Sequence, residues 1–184
     1  AVAKLGGLDG AHLNAADLRV IFDDSDAAAI DLGVFDRTIA VNLRGPLLCT
    51  RAVLPHLLRN KASSIVYTSS GSAQGAEPTR PCYAMSKAGL NALMRHVATR
   101  WGKEGLTANV LAPGFTLTGE MKTQMEANSG EAKKWADYFM SQTPHTRLGE
   151  PEDHAGVVAM LLSDDGRWIN GAILDVNGGS LIRG

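Results

Sequence analysis

Short runs of apolar and β-branched residues alternate along this chain with long segments of helical periodicity. Each short run is too brief for a stable helix and is bounded by Gly, Pro, Ser or Asn, which is typical of buried strands. The longer segments repeat their apolar residues at a spacing of three or four, which is typical of amphipathic helices. The predicted strands are residues 10–13, 64–68, 106–112 and 172–176, and the predicted helices are residues 34–60, 83–101, 120–140 and 151–162.

This order of strands and helices predicts an α/β fold, a Rossmann-like doubly wound parallel sheet between two helical layers. We expect one domain over residues 1–184, with successive crossover helices on alternate faces of the sheet. Ligands of such sheets bind beyond the carboxyl ends of the strands. The predicted loops at those ends are residues 14–17, 69–82, 113–119 and 177–181.

Bulk properties narrow the possible partners. The chain has 184 residues and a formal net charge of −1, so no basic field indicates a nucleic-acid or membrane partner. The two cysteines have neither metal-site nor redox-pair spacing, and a reducing, cytoplasmic location is expected. The five histidines likewise show no metal-ligand spacing. We interpret the acidic residues Asp23, Asp24 and Asp26 as a solvated loop or a helix start rather than a cation site.

Tyr83 and Lys87 lie four residues apart on a predicted helix, so their side chains share one face. A nearby ammonium lowers the pKa of a phenol from its ordinary value near ~10. Such a phenol gives a proton to a carbonyl oxygen or takes one from an alcohol. The alternative interpretation is an ordinary surface pair.

Two further polar residues are candidates for the same site. Ser70 closes a predicted strand at its carboxyl end, where a hydroxyl can hydrogen-bond a developing alkoxide; alternatively it is a loop serine, and its neighbours Ser69 and Ser72 are easily confused with it. Asn42 lies within a predicted helix among apolar residues, where an amide needs partners. Taken on its own, Asn42 is better explained as a helix bend or a polar core residue.

Several segments together resemble the short-chain dehydrogenase/reductase family, in particular its 3-oxoacyl-(acyl-carrier-protein) reductase-like members. Ser70 followed by Tyr83-Ala84-Met85-Ser86-Lys87 is similar to the family's active site. The other matching segments, in chain order from about residue 5, are residues 5–9, 13–16, 41–45, 109–118, 147–152 and 170–179.

The resemblance implies a role for each matching residue. Tyr83 would be the general acid/base, Lys87 would lower its pKa and hold the nicotinamide ribose, and Ser70 would orient the substrate oxygen. Asn42 would hold a water that links Lys87 to solvent. The cofactor would be NAD or NADP, lined by Tyr83 and Lys87 and by Asn14, Ala15, Pro113, Gly114, Thr116 and Thr118.

One departure from the family is large. No segment of the form Thr-Gly-x-x-x-Gly-x-Gly occurs, and neither do the first three strands that this segment belongs to. We therefore expect the 184 residues to be the carboxyl-terminal catalytic portion of a longer chain, the alternative being a truly short protein. A non-catalytic remnant that acts as an interaction protein is the second functional hypothesis. Smaller departures are Leu13 and Ala16 in the segment after the first strand, and Asn177 near the terminus.

The expected substrate is a mid-sized, partly apolar ketone or secondary alcohol. Its pocket is predicted between the loop from Ser70 to Tyr83 and residues 117–140, although the same apolar residues would serve equally well as ordinary core. By resemblance, the long helices of residues 34–60 and 83–101 pair between subunits in a homodimer or homotetramer. The apolar residues of the predicted pocket wall are Met121, Met125, Trp135, Tyr138, Phe139 and Met140.

Overall fold

A parallel sheet forms the centre of the molecule. The computed structural model of this chain describes residues 1–126 and 130–182, apart from the side chains of residue 120, residues 124–126 and residues 130–132. Within those residues the sheet has four strands in the order β1-β2-β3-β4, and all neighbouring pairs are parallel. The strands are β1 (Gly10–Leu13), β2 (Ser63–Thr68), β3 (Leu106–Pro113) and β4 (Ile173–Val176).

Helices fill the connections between these strands. The predicted helix of residues 34–60 is in fact two α-helices joined by one π-helical turn, Ala40–Arg44, and the predicted helix of residues 120–140 is also two helices. The helices are α1 (Val2–Leu5), α2 (Leu32–Ile39), α3 (Gly45–Leu57), α4 (Pro81–Trp101), α5 (Gly119–Glu126), α6 (Gly130–Gln142) and α7 (Pro151–Leu162). Among these helices of the described residues, none combines the length and apolar character that a bilayer crossing requires.

Side chains alternate across the strands and define two cores. Ile65 and Tyr67 of β2 face a large core that is built with Leu57 of α3 and with Leu90 and Met94 of α4. Val66 and Leu111 face the opposite way and pack against α7, where Leu161 is fully buried. Buried on both faces, β2 and β3 each contain a run of consecutive apolar residues, Ile65–Tyr67 and Val110–Ala112, as is usual for central parallel strands.

The distribution of helices corrects one expectation. Helices α3 and α4 cover the same face and only α7 covers the other, so successive crossovers do not alternate. Because the strand order advances in one direction throughout, the β3-to-β4 crossover has the hand opposite to the first two. Helical periodicity shows which side of a helix is buried, but not which face of the sheet it covers.

Helix α4 is attached to the sheet at its carboxyl end. The side-chain amide of Asn170 donates to the carbonyl of Ala98, at 3.2 Å, and its oxygen accepts from the N–H of Ala108 in β3, at 2.9 Å. One side chain thus links the last turn of α4 to a central strand.

Candidate active site

The first turn of α4 places Tyr83 at the carboxyl edge of the sheet. The helix begins at Pro81, two residues before the predicted start; proline is favourable there because that position needs no N–H donor. The carboxylate of Asp24 accepts the N–H groups of Cys82, at 3.2 Å, and of Tyr83, at 2.8 Å. A residue of the distant loop after β1 therefore satisfies the free donors of the helix.

Ser70 lies beside Tyr83, and its neighbour Ser69 does not serve that role. The Ser70 hydroxyl acts on the pKa of the Tyr83 phenol, which it lowers, and it accepts from the N–H of Ser72, at 3.2 Å. Ser69 is buried, and its hydroxyl donates to the carbonyl of Lys87, at 3.1 Å. Ser70 is thus the better candidate of the two, and its role stays a prediction.

Lys87 is buried one helical turn beyond Tyr83. Its Nζ donates to the carbonyl of Thr68 at 2.8 Å and lies 5.7 Å from the centroid of the Tyr83 ring. Burial lowers the pKa of Lys87 to about 8. An ammonium has three N–H donors, so the contact with Thr68 leaves donors for other groups at the strand end.

The electrostatics of Tyr83 differ from the expectation. Burial raises the pKa of Tyr83 above its ordinary value, while the hydrogen bond with Ser70 and the positive charge of Arg80 act in the opposite direction. The pKa of Tyr83 is therefore not lowered overall, contrary to the expectation from the neighbouring Lys87. Removal of the phenolate from water outweighs the nearby cations.

Asn42 lies in the π-helical turn and is 1% exposed. Its Oδ1 accepts the N–H of Asp17 at 2.8 Å, and its Nδ2 has no hydrogen-bond partner among the described residues. The turn packs against α4. Asn42 is thus a buried polar residue beside the helix of Tyr83, and its link to Lys87 stays a prediction.

The predicted cofactor residues lie at the same edge of the sheet. Leu13 pairs with Tyr67, so the exposed Asn14 follows directly beside Thr68, whose carbonyl holds Lys87. Pro113 pairs with Val176 at the end of β3. Exposed Ala15 follows Asn14, and Gly114, Thr116 and Thr118 follow Pro113.

Hydrogen bonds fix the segment after β3. The N–H of Gly114 donates to the carbonyl of Val176 at 3.1 Å. The Thr116 hydroxyl donates to the carbonyl of Gly114 at 3.1 Å and is 2.8 Å from Nε2 of His154. Since that hydroxyl has one proton, Nε2 of His154 is the donor in the second bond. Thr118 accepts the N–H of Met121 at 3.3 Å, which begins α5.

These groups fit the ribose of a nicotinamide nucleotide. The remaining N–H groups of Lys87 and the exposed amide of Asn14 are donors and acceptors at adjacent strand ends, which matches the vicinal hydroxyls of a ribose. By contrast, no group of three metal-ligating side chains is placed to hold a metal ion in the residues that the structure describes.

Aromatic side chains form one wall next to this edge. Trp135 and Phe139 of α6 stack at a centroid distance of 5.8 Å, and Phe139 stacks on Phe115 at 4.4 Å. The guanidinium of Arg80 lies 5.3 Å from the centroid of Trp135. Part of the predicted pocket wall is thus assembled beside α4, whereas Met125 lies outside the described side chains.

Sequence reasoning missed three residues of the site, Asp24, Arg80 and Phe115 of the aromatic wall. Asp24 is 2% exposed, so the interpretation of its acidic neighbourhood as solvated is wrong for this residue. Arg80 pairs with Glu77, and its charge acts on Tyr83. A loop aspartate that caps a helix 58 residues away has no fixed spacing, so no motif indicates it.

The comparisons with known proteins agree with this geometry. Residues 1–180 match the family model described as enoyl-(acyl carrier protein) reductase. A probable short-chain type dehydrogenase/reductase of Bradyrhizobium diazoefficiens is 33% identical over 176 residues, which cover 96% of this chain and 60% of that protein. The 7alpha-hydroxysteroid dehydrogenase of Bacteroides fragilis is 31% identical over 159 residues, which cover 86% of this chain and 59% of that protein.

A solved structure is also similar to this chain over nearly its whole length. The crystal structure of levodione reductase superposes with a TM-score of 0.86 at 28% identity, over 97% of this chain and 68% of that one. The chain belongs to the short-chain dehydrogenase/reductase family. It spans about three fifths of the length of the two curated relatives, 60% and 59%.

Proposed function

We propose that this chain is the catalytic portion of an oxidoreductase that transfers a hydride between NAD or NADP and a carbonyl or secondary alcohol. The observation that carries the proposal is the grouping of Ser70, Tyr83 and Lys87 at the carboxyl edge of the sheet. The Ser70 hydroxyl is close enough to lower the pKa of the Tyr83 phenol, and the buried ammonium of Lys87 lies 5.7 Å from the Tyr83 ring.

Each of these residues has a distinct task in the proposed reaction. The nicotinamide, when bound, supplies or accepts the hydride. Tyr83 gives its phenolic proton to the substrate oxygen in reduction and takes the proton back in oxidation. Ser70 donates to the same oxygen and orients it. Lys87 stabilises the phenolate that remains, and Asn42 is proposed to support the return of a proton to Lys87 from solvent.

The substitution Tyr83→Phe tests the proposal. It removes the phenolic oxygen and keeps the ring, so we expect turnover to be lost while the cofactor still binds. Reduction of a panel of cyclic ketones is followed through NADH or NADPH absorbance, and cofactor binding through fluorescence. Turnover by the Phe variant at the wild-type rate would refute the assignment of Tyr83.

The alternative function is a non-catalytic family member that acts as an interaction protein. Titration of the protein with NADH and with NADPH separates the two functions. Saturable binding of either cofactor supports the oxidoreductase, and no binding of either supports the alternative.

We infer a mid-sized, partly apolar substrate from the aromatic wall. Trp135 and Phe139 offer ring faces on the side of the site where Arg80 adjoins Tyr83. The names of the two relatives, a hydroxysteroid dehydrogenase and levodione reductase, are consistent with a ring ketone or ring alcohol. The free thiols Cys49 and Cys82 support a reducing compartment, and we place the protein in the cytoplasm.

We also infer that the protein is a homodimer or homotetramer. Helices α3 and α4 form an apolar groove that includes Leu54, Leu93 and Trp101, and Leu47 on its rim is 50% exposed. A second copy of the same helix pair would cover such a groove. We expect Leu47→Glu to reduce the mass measured by light scattering, and the control Leu5→Glu, an exposed site on α1, to leave it unchanged. An unchanged mass for Leu47→Glu would contradict this interface.

A further inference from the structure

Asp24 contacts the first turn of α4 through both its side chain and its backbone. Its two carboxylate oxygens accept the N–H groups of Cys82, at 3.2 Å, and of Tyr83, at 2.8 Å. Its carbonyl accepts the N–H of Arg80 at 3.0 Å. Three N–H groups around the start of α4 therefore donate to one residue, and that residue is 2% exposed.

Two other helices of the fold, α2 and α7, are capped by the residue that precedes them. Asp31 caps α2 by accepting the N–H of Gly33 at 2.6 Å, and Glu150 forms a capping box with Asp153 at the start of α7. Helix α4 does not follow this pattern, because the residue before it, Arg80, makes no side-chain cap. Arg80 instead adopts a left-handed backbone conformation with φ of 67°, which is unfavourable for a residue with a Cβ atom.

A carboxylate at this position is favourable for two physical reasons. The first N–H groups of a helix have no partner within it, and a negative charge interacts favourably with the amino end of the helix dipole. Asp24 meets both requirements from a loop that is remote in sequence. The N–H that it holds most closely, at 2.8 Å, is that of Tyr83.

We propose that Asp24 is a positioning residue for the proton transfer by Tyr83. The inference rests on the proposed function, because it assigns Asp24 a task in that reaction. The bond to the Tyr83 N–H fixes the backbone from which the phenol projects, and the bond to Cys82 fixes the turn before it. Without the carboxylate, the α4 start moves relative to Ser70, which is attached to strand β2 and not to this loop.

Kinetics of three variants of the intact protein test the proposal. Displacement of a reacting group by about 1 Å costs up to roughly 100-fold in rate, so we expect Asp24→Ala to lower kcat by about 10- to 100-fold. Asp24→Asn keeps one acceptor for the Tyr83 N–H, and we expect its kcat to lie between those of Asp24→Ala and the wild type. The matched control is Asp31→Ala, which removes the cap of α2, a helix that does not carry Tyr83, and should leave kcat unchanged.

The Cys82 thiol reports on the same contact independently of turnover. Burial and the hydrogen bond with Asp24 raise the pKa of Cys82 to about 11, so the thiol reacts slowly near neutral pH. In a Cys49→Ser background, which removes the exposed thiol, we expect Asp24→Ala to accelerate labelling by a thiol reagent. Asp31→Ala should label at the wild-type rate.

The outcomes separate this proposal from the proposed function. If the wild type turns over and Asp24→Ala has the same kcat, the positioning role is refuted and the oxidoreductase function stands. The positioning role is also refuted if Asp31→Ala lowers both kcat and the melting temperature as much as Asp24→Ala does. The fall in kcat would then come from general destabilisation. If the wild type reduces no substrate and binds no cofactor, the proposed function fails, and rapid labelling of Asp24→Ala shows that the contact with α4 exists without it.

Discussion

Three consecutive residues at the end of β2 direct their hydroxyl groups to three different partners. Thr68 hydrogen-bonds Nε2 of His12 at 2.8 Å, Ser69 donates to the carbonyl of Lys87 at 3.1 Å, and Ser70 accepts from the N–H of Ser72 at 3.2 Å. Side chains alternate along an extended backbone, which explains why adjacent serines reach different groups. The strand geometry therefore favours Ser70 over Ser69 as the proposed serine of the site.

Alanine substitutions at the two serines are expected to have different effects. Ser70→Ala removes a donor to the substrate oxygen, and we expect kcat to fall by about 100-fold with little change in stability. Ser69→Ala leaves the buried carbonyl of Lys87 without this donor and should cost about 1–2 kcal/mol of unfolding free energy. Urea denaturation and steady-state kinetics of both variants check this, and a larger kinetic loss in Ser69→Ala would reverse the assignment.

The raised pKa of Tyr83 predicts the pH dependence of the two reaction directions. Reduction needs the protonated phenol, which the raised pKa of Tyr83 keeps as the dominant form at neutral pH. Oxidation needs the phenolate, so we expect the rate of alcohol oxidation to rise with pH through the alkaline range while reduction stays level near neutrality. Initial rates in both directions across pH provide the measurement. A plateau of oxidation already at pH 7 would show that the pKa of Tyr83 is low in the reacting complex.

At the scale of elements, the junction of β3 and β4 is closely packed. A Cβ atom on Gly114 would lie 2.8 Å from Cα of Asn177 and 3.0 Å from its carbonyl oxygen. The two backbones approach so closely because the Gly114 N–H bonds the carbonyl of Val176. Glycine is therefore required at this end of β3 for steric reasons, since its φ is not in the left-handed region.

We expect Gly114→Ala to separate the two strand ends. The steric overlap should cost about 1–3 kcal/mol of unfolding free energy and weaken cofactor binding by displacing Thr116. Gly119→Ala is the matched control, because a Cβ atom there meets nothing within 4 Å. Thermal unfolding and cofactor titration of the two variants test this. Equal stability of Gly114→Ala and the wild type would mean that residues 177–179 shift at no cost.

The elements were predictable from the sequence to different degrees. The strands are correct to within one residue at each end, because their apolar residues stop abruptly at Asn14, Ser69, Pro113-Gly114 and Asn177. The single predicted helices of residues 34–60 and 120–140 are each divided, since periodicity does not mark a π-helical turn such as Ala40–Arg44. Helix α1 has only four residues, too few to produce a periodic pattern.

The site was predictable only where its residues share a motif or a strand end. Ser70, Tyr83 and Lys87 follow from one strand and one helix, and the structure brings all three together. Asp24, Arg80 and Phe115 were missed because their contacts join segments that are distant in sequence, and the ring of Phe115 meets Phe139 only through the tertiary fold. The pKa of Tyr83 was predicted in the wrong direction, since sequence shows a nearby charge but not the degree of burial.

At the scale of the whole molecule, Lys87 links the site to stability. In the unfolded chain Lys87 keeps its proton up to a pKa of 10.5, whereas burial in the folded chain lowers the pKa to about 8. Between these values the unfolded chain binds more protons, so a rise in pH favours the folded chain. Below pH 8 Lys87 is protonated in both the folded and the unfolded chain, so the free-energy cost of burying its charge is fully present.

The substitution Lys87→Met should remove this pH dependence. Since one pKa unit corresponds to about 1.4 kcal/mol, the contribution of Lys87 should grow by at most about 3 kcal/mol between pH 8 and pH 10.5. Urea unfolding of the wild type and of Lys87→Met at several pH values isolates the contribution of Lys87, because Cys82 and the tyrosines titrate in both proteins. Parallel stability curves for the two proteins would show that the ammonium is better solvated than its burial indicates.

Helix α4 is fixed at both ends by remote side chains, Asp24 at its amino end and Asn170 at its carboxyl end. Both ends of the helix are thus held in place by side chains from other parts of the chain, and the proposed proton-transfer groups lie in its first two turns. The aromatic-wall residues Phe115, Trp135 and Phe139 take part in neither of these two hydrogen bonds. Such an arrangement lets substrate range diverge among descendants of this protein while the chemistry stays constant.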